Sequence, residues 1–206
     1  MISLIDYGAG NLTSVKKALS HLGAEFGTPS SPGELRATSA VIVPGVGNFK
    51  ATSVLTQTWR SVISEIVENG TPLLGICLGL QWLFEGSEEA QHIKGLAAMG
   101  GTCSLIQSSD YDGFGRFKVP HVGWNGLHIT RESWLLNGVR EGDQVYFTHS
   151  YAAPVTADCV ASTSYGVKFA SAVERNHIAG VQFHPEKSGD VGLRILGNFL
   201  TRVTDS

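Results

Sequence analysis

Charge is scarce in this chain. Asp, Glu, Lys and Arg supply 16% of its 206 residues, against roughly 25% in an average soluble domain. The formal net charge is −3, and no basic cluster is longer than Lys16-Lys17. Both shortages exclude the basic stripe with which nucleic-acid binders neutralise phosphates, so no nucleic-acid partner is expected. No window approaches about 18 consecutive apolar residues, which excludes a membrane-spanning helix. The opening Met1-Ile2-Ser3-Leu4-Ile5-Asp6 has neither the basic region nor the apolar length of a secretory leader. Cysteine is limited to Cys77, Cys103 and Cys159, with no Cys-x-x-Cys pair. That argues against a disulfide scaffold or zinc module and for a reducing compartment, the cytoplasm. Proline is sparse at seven residues, while apolar residues reach 42%, too many for a disordered chain.

Glycine is in excess: 25 residues, about 12% where roughly 7% is usual. It has no Gly-X-Y period and falls between apolar segments. Ile2 to Asp6 reads as a buried strand entering the turn Tyr7-Gly8-Ala9-Gly10. Asn11 is a suitable N-cap for a helix carrying Leu12, Val15, Ala18, Leu19 and Leu22, which Gly23 ends. Ala40 to Val43 is a second strand, ending in Pro44-Gly45-Val46-Gly47. A helix is expected from about Ala51 to Glu68, stopped by Asn69-Gly70. Pro72 to Ile76 is a third strand running into Cys77, and Leu78 to Glu85 reads as helix. Strands alternating with helices imply a parallel sheet. The second half is strand-like at Thr102–Ile106, Phe117–Pro120, Gln144–Thr148, Cys159–Ser164, Lys168–Val173 and Ile178–Phe183, before a helix at Gly189 to Val203. The expected fold is α/β: one domain over residues 1–206, a mixed, mostly parallel sheet flanked by helices, with an antiparallel extension.

In such sheets ligands bind at the carboxyl ends of the strands. One of these ends, Gly75-Ile76-Cys77-Leu78-Gly79, has the form of a nucleophile elbow with cysteine in place of serine. The flanking glycines let strand and helix close up around a sharp turn. A helix N-terminus favours thiolate over thiol. The bland alternative is a buried structural cysteine. A thiol nucleophile needs a base and the base an orienting group. Of seven histidines, His21 and His92 read as surface and His177 as a hairpin turn. His184 follows an apolar strand directly, with Glu186 two residues on. Pro44-Gly45-Val46-Gly47 has no reactive side chain, but its main-chain N–H groups could serve an oxyanion hole. Neither a phosphate loop nor a metal-ligand spacing is present, so no cofactor and no metal are expected.

Together with Leu80-Gln81, the cysteine elbow, the Pro44–Gly47 loop and His184-Pro185-Glu186 resemble a class I (triad) glutamine amidotransferase over nearly the whole chain. Within that family Ile5–Leu12, Phe84–Glu89, Pro120–Asn125 and Phe147–Tyr151 are similar to the branch of glutaminase subunits of imidazole glycerol phosphate synthase. The resemblance implies that Cys77 attacks the side-chain amide of glutamine, that His184 moves the proton and that Glu186 orients His184. It implies an oxyanion held by the N–H groups of Leu78 and Val46, and a glutamine gripped by Gly45, Gly47, Gln81, Glu89, Ser150 and Tyr151. It also implies a heterodimer in which Pro120, Val122, Trp124, Asn125, Tyr146 and Lys187 meet a cyclase subunit with a (β/α)8 barrel, which receives the ammonia. Val122 departs from the methionine usual in that branch. Without the resemblance, Trp124 reads as a core aromatic and Glu88-Glu89 as a solvated face. The rival readings are a glutaminase of anthranilate or GMP synthesis, a cysteine hydrolase acting alone, and a non-catalytic binding module.

Overall fold

The computed structural model describes residues 1–10, 12–107, 110–111, 115–116 and 118–204. Asn11, expected as a helix cap, and Phe117, expected to open a strand, lie outside the described residues. The first half alternates as anticipated: β1 (Ile2–Leu4), α1 (Leu12–His21), β2 (Phe26–Gly27), β3 (Ala40–Val43), α2 (Gln57–Glu68), β4 (Leu73–Ile76) and α3 (Leu78–Leu83). Short strands follow: β5 (Gly86–Ser87), β6 (Thr102–Leu105), β7 (Asp110–Tyr111) and β8 (Gly115–Arg116). Then come β9 (His121–Gly126), β10 (His128–Ile129), β11 (Gln144–His149), β12 (Tyr151–Ala152), β13 (Cys159–Tyr165), β14 (Val167–Arg175) and β15 (Ile178–Val181), before α4 (Gly189–Thr204).

Eight strands form the main sheet in the order β10-β13-β14-β15-β4-β3-β1-β2. The five from β15 to β2 are parallel, and β14, β13 and β10 add the antiparallel extension. The parallel strands are apolar on both faces because helices cover both. Leu4, Ile42, Leu74 and Ile76 pack with Val15 and Leu19 of α1 and Ile195, Leu196 and Phe199 of α4. Val41, Val43 and Leu73 pack on the other face with Ile63 and Ile66 of α2 and Leu80 and Leu83 of α3. At about 2 kcal/mol for each fully buried aliphatic side chain, these two layers hold the sheet rigid beneath its carboxyl rim. Among the described residues no helix is long and apolar enough to cross a membrane.

Two expectations differ from the structure. The helix expected over 51–68 is split into a 3₁₀ segment, Phe49–Val54, and α2 from Gln57. The Asn48 side chain caps Lys50 N–H and Glu89 Oε2 accepts the Phe49 N–H at 2.6 Å, so the first segment is tied to the rim instead of continuing α2. The strand expected at 117–120 is a bend at 119–120, and the chain becomes extended at His121, where β9 pairs with β11.

Candidate active site

Cys77 sits between β4 and α3 with φ 53° and ψ −104°, a strained backbone for a residue with a side chain. The crowding around it explains the glycines. A Cβ at Gly79 would run into the Val43 carbonyl oxygen, and one at Gly75 would lie 2.6 Å from the Gly79 carbonyl oxygen. Cys77 N–H donates to Val181 O at 2.7 Å, and Gln81 N–H to Cys77 O at 3.1 Å. The elbow is thereby anchored to β15 as well as to its own helix.

β15 leads into His184, whose Nδ1 lies 2.8 Å from Glu186 Oε1 with both side chains 2% exposed. Burial alone would lower the His184 pKa, but the neighbouring Cys77 and Glu186 outweigh it and push the value up to about 9. The His184 Nε2 atom has no hydrogen-bond partner of regular geometry, but Cys77 lies near enough to raise its pKa both by hydrogen bonding and by charge. A closed ring of hydrogen bonds fixes the main chain of His184. His184 N–H donates to Tyr146 O at 2.9 Å, Tyr146 N–H to Ser188 Oγ at 2.9 Å, and Ser188 Oγ–H to His184 O at 2.7 Å.

Cys77 opens into a cavity of about 280 Å³ lined by Val46, Gly47, Leu78, Gln81, Glu89, Pro120, Thr148, His149, Ser150 and Tyr151. Thus Val46, Gly47, Leu78, Gln81, Glu89, Ser150 and Tyr151 gather around the thiol as the sequence suggests. Gly45 does not line the cavity, and Pro120, expected at a partner surface, does. Gln81 is 4% exposed, and its amide N–H groups are engaged inside the protein, with Tyr151 O at 2.8 Å and Gln182 Oε1 at 3.2 Å. Only its Oε1 remains for a ligand. Glu89 is half-buried, while Glu88 accepts from Leu105 N–H.

The Pro44–Gly47 loop, expected to hold an oxyanion, is less complete than the elbow. Leu78 N–H donates to Gly45 O at 3.2 Å, so a neighbouring carbonyl takes the hydrogen an oxyanion would need. Gly45 packs on Tyr7, whose hydroxyl a Cβ at that position would strike. The Tyr7 hydroxyl is buried without a partner. Burial first, and then the charge of Cys77, hold it well above the ordinary phenol range.

The surface expected to meet a partner lies on β9 and β11. Val122 and Trp124 are each 56% exposed, so Trp124 is not a core residue. Its ring stands 6.1 Å from that of Tyr146, over which Lys187 Nζ lies at 5.9 Å. Asn125 instead turns inward, donating to Ser164 O at 3.1 Å and accepting from Gly126 N–H at 2.8 Å. On the opposite face of the same two strands, His121 and His149 are buried and face each other, Nδ1 to Nε2, at 3.2 Å. Burial lowers their pKa values to about 4 and about 3, so both are neutral. Sequence reasoning left out this pair, together with Thr148, Tyr7 and Gln182. The alternation Val145, Phe147, His149 would have turned His149 inward.

Among the described residues no group of three or more His, Cys, Asp and Glu side chains could hold a metal ion. Residues 3–203 match the family described as glutamine amidotransferase class-I. The chain is 46% identical to imidazole glycerol phosphate synthase subunit HisH of Geobacillus sp. (strain WCH70), covering 98% of this chain and 97% of the relative. It is 45% identical to the protein of the same name from Archaeoglobus fulgidus, covering 98% and 99%. A crystal structure of a glutamine amidotransferase superposes with a TM-score of 0.75 over 99% of this chain and 100% of that one, at 19% identity. A putative GMP synthase subunit from Thermoplasma acidophilum gives 0.70 over 99% and 94%, at 18% identity. These two share the fold.

Proposed function

The chain belongs to the class-I glutamine amidotransferase family, and from that premise we propose that it is the glutaminase subunit of an imidazole glycerol phosphate synthase, with Cys77, His184 and Glu186 as its triad. The observation that carries the chemistry is the strained, cavity-facing Cys77 beside a buried His184–Glu186 pair at 2.8 Å. What favours this synthase over GMP or anthranilate synthesis is full-length identity of about 45% to subunits of that name. The likeness to a GMP synthase subunit, at 18% identity, extends to the fold alone.

In the reaction, glutamine enters the cavity with its α-ammonium toward Glu89 and its α-carboxylate toward Ser150 and Tyr151. The Cys77 sulfur attacks the side-chain amide carbon and a carbon–sulfur bond forms. With its pKa near 9, His184 holds a proton at neutral pH and gives it to the departing nitrogen as the carbon–nitrogen bond breaks, releasing ammonia. His184 then takes a proton from water, whose oxygen attacks the thioester. The carbon–sulfur bond breaks, its electron pair returns to sulfur, and glutamate leaves. Glu186 keeps one imidazole nitrogen protonated and the other facing Cys77.

The tetrahedral oxyanion requires N–H groups of Leu78 and Val46, and the Gly45 carbonyl must leave Leu78 before it can be held. The isolated subunit is therefore slow. A partner engaging Val122, Trp124, Tyr146 and Lys187 activates it and receives the ammonia. We assign that partner to the cyclase with a (β/α)8 barrel. Glutaminase activity measured with and without the cyclase and its nucleotide tests the coupling, since high activity of the chain alone would refute it. Cys77→Ala removes glutamine-dependent turnover, by about 10⁴-fold or more, and leaves the ammonia-dependent reaction of the complex intact. Retained glutamine use would refute the nucleophile assignment.

A further inference from the structure

Gln182 belongs to none of the roles described so far, yet it touches the sulfur. It is fully buried and its Nε2 lies 3.7 Å from Cys77 Sγ. Which end of its amide faces the thiol is decided by a chain of hydrogen bonds that starts from a group of fixed polarity. The Tyr151 carbonyl oxygen can only accept. Its neighbours, His149 Nδ1 at 2.9 Å and the Gln81 side-chain amide at 2.8 Å, must therefore both donate. That sets the Gln81 amide with its nitrogen inward, where it also donates to Gln182 Oε1 at 3.2 Å. With its oxygen so engaged, Gln182 has only N–H to present to Cys77. The same logic runs outward. Neutral His149 with a proton on Nδ1 has an accepting Nε2, so His121 Nδ1–H donates to it. Every member thus has one allowed orientation.

We propose that Gln182 is a further catalytic residue: its amide N–H holds the Cys77 thiolate from the protein side, and Gln81 positions it. Besides His184, the sulfur meets a carbonyl of the cavity wall and a side-chain amide behind it. Thr148 O, at 3.9 Å, suits a protonated thiol, whereas Gln182 N–H suits the charged sulfur. As a buried side chain, Gln182 reaches the sulfur without occupying the cavity. The hydrogen bond favours the anion before attack, weakens in the thioester, and re-forms as the sulfur departs on hydrolysis. It therefore assists both half-reactions. The inference rests on Cys77 as the nucleophile.

The test is alkylation of the full chain by iodoacetamide across a pH range, followed peptide by peptide. In Gln182→Leu the Cys77 profile moves to higher pH by about one unit, so that on the acid side of the profile alkylation is about tenfold slower. Gln182→Glu, equal in volume but acceptor-only when ionised, moves it further. Buried Cys103 and Cys159 stay protected if the fold is intact. In both variants the kcat for glutamine falls about tenfold with KM little changed. An unmoved Cys77 profile with Cys103 and Cys159 protected overturns the proposal. Should both variants unfold, the wild-type chain decides: the side-chain amide resonances of Gln182 follow the titration of Cys77, and resonances that stay fixed overturn it. Alkylation needs no glutamine, so its failure leaves the triad assignment standing, whereas glutamine turnover by Cys77→Ala would remove the triad and leave the hydrogen bond in place.

Discussion

Two adjacent glycine-bearing turns, at the ends of β4 and β3, meet at the same cavity in opposite conditions. The elbow at Cys77 is fixed on all sides: Gly75 and Gly79 leave no room for a Cβ, and main-chain bonds hold it to β15 and α3. The loop at Gly45–Gly47 is packed at its start, against Tyr7, Leu78 and Gly10, and open at its end. Gly45 leans on Tyr7, while Gly47, at φ +111°, faces open space. The loop's own carbonyl takes the Leu78 N–H. On the proposed roles, the nucleophile and its base are built into the fold, and the anion-stabilising half of the site is left to be completed. If ammonia is passed to a second subunit as proposed, the division keeps glutamine from being hydrolysed to no purpose.

Substitutions can break that contrast, beginning with the largest effect on the fold. Gly79→Ala drives a methyl group into the Val43 carbonyl, and the expected loss is about 4 kcal/mol or failure to fold. Urea denaturation measures it, and a variant of wild-type stability would mean that the elbow is not sterically set. Glu186→Gln keeps the shape and removes the charge that orients His184. The expected fall in kcat is about 10⁴-fold, with the cysteine still open to alkylation. The same variant changes the pH dependence of stability. His184, ordinarily near 6.5, is raised to about 9 in the folded chain. Between those values the native state keeps a proton that the unfolded chain has lost. Its contribution is complete below the lower value and disappears as pH rises through the higher one. With the Glu186 charge gone, the slope of unfolding free energy against pH flattens in that window, as denaturation at about pH 6 and about pH 9 will register. Gly47→Ala is the mildest: about 1 kcal/mol of backbone strain, with the elbow untouched. Glutaminase activity of the complex drops about tenfold while Cys77 alkylation holds. A parallel drop in both would erase the distinction between the two turns.

Legibility in the sequence followed the distance over which each feature is determined. The elbow could be read because its steric demand falls on residues two positions either side of Cys77. The His184–Glu186 pair could be read because a single intervening proline brings the two side chains together. The parallel half of the sheet showed in its apolar runs. The pairing of β9 with β11 is another matter. It sets His121 opposite His149 and Trp124 opposite Tyr146 through a register between segments some 20 residues apart, which short-range spacing does not encode. Gln182 was hidden for the same reason, since its partners Gln81 and Cys77 lie on α3 and its N-terminal turn. The expected helix at 51–68 failed at its first turns because Glu89, far along the chain, claims the Phe49 N–H.

The ring of three hydrogen bonds through Ser188 has a mechanical consequence. It clamps the main chain of Tyr146 to that of His184, so a strand that presents an aromatic side chain outward is tied along its backbone to the segment that bears the imidazole. Pulling the two apart means giving up bonds worth about 1 kcal/mol each. On the proposed function, docking and base alignment share one coordinate, so a partner pressing on the outer face displaces the imidazole.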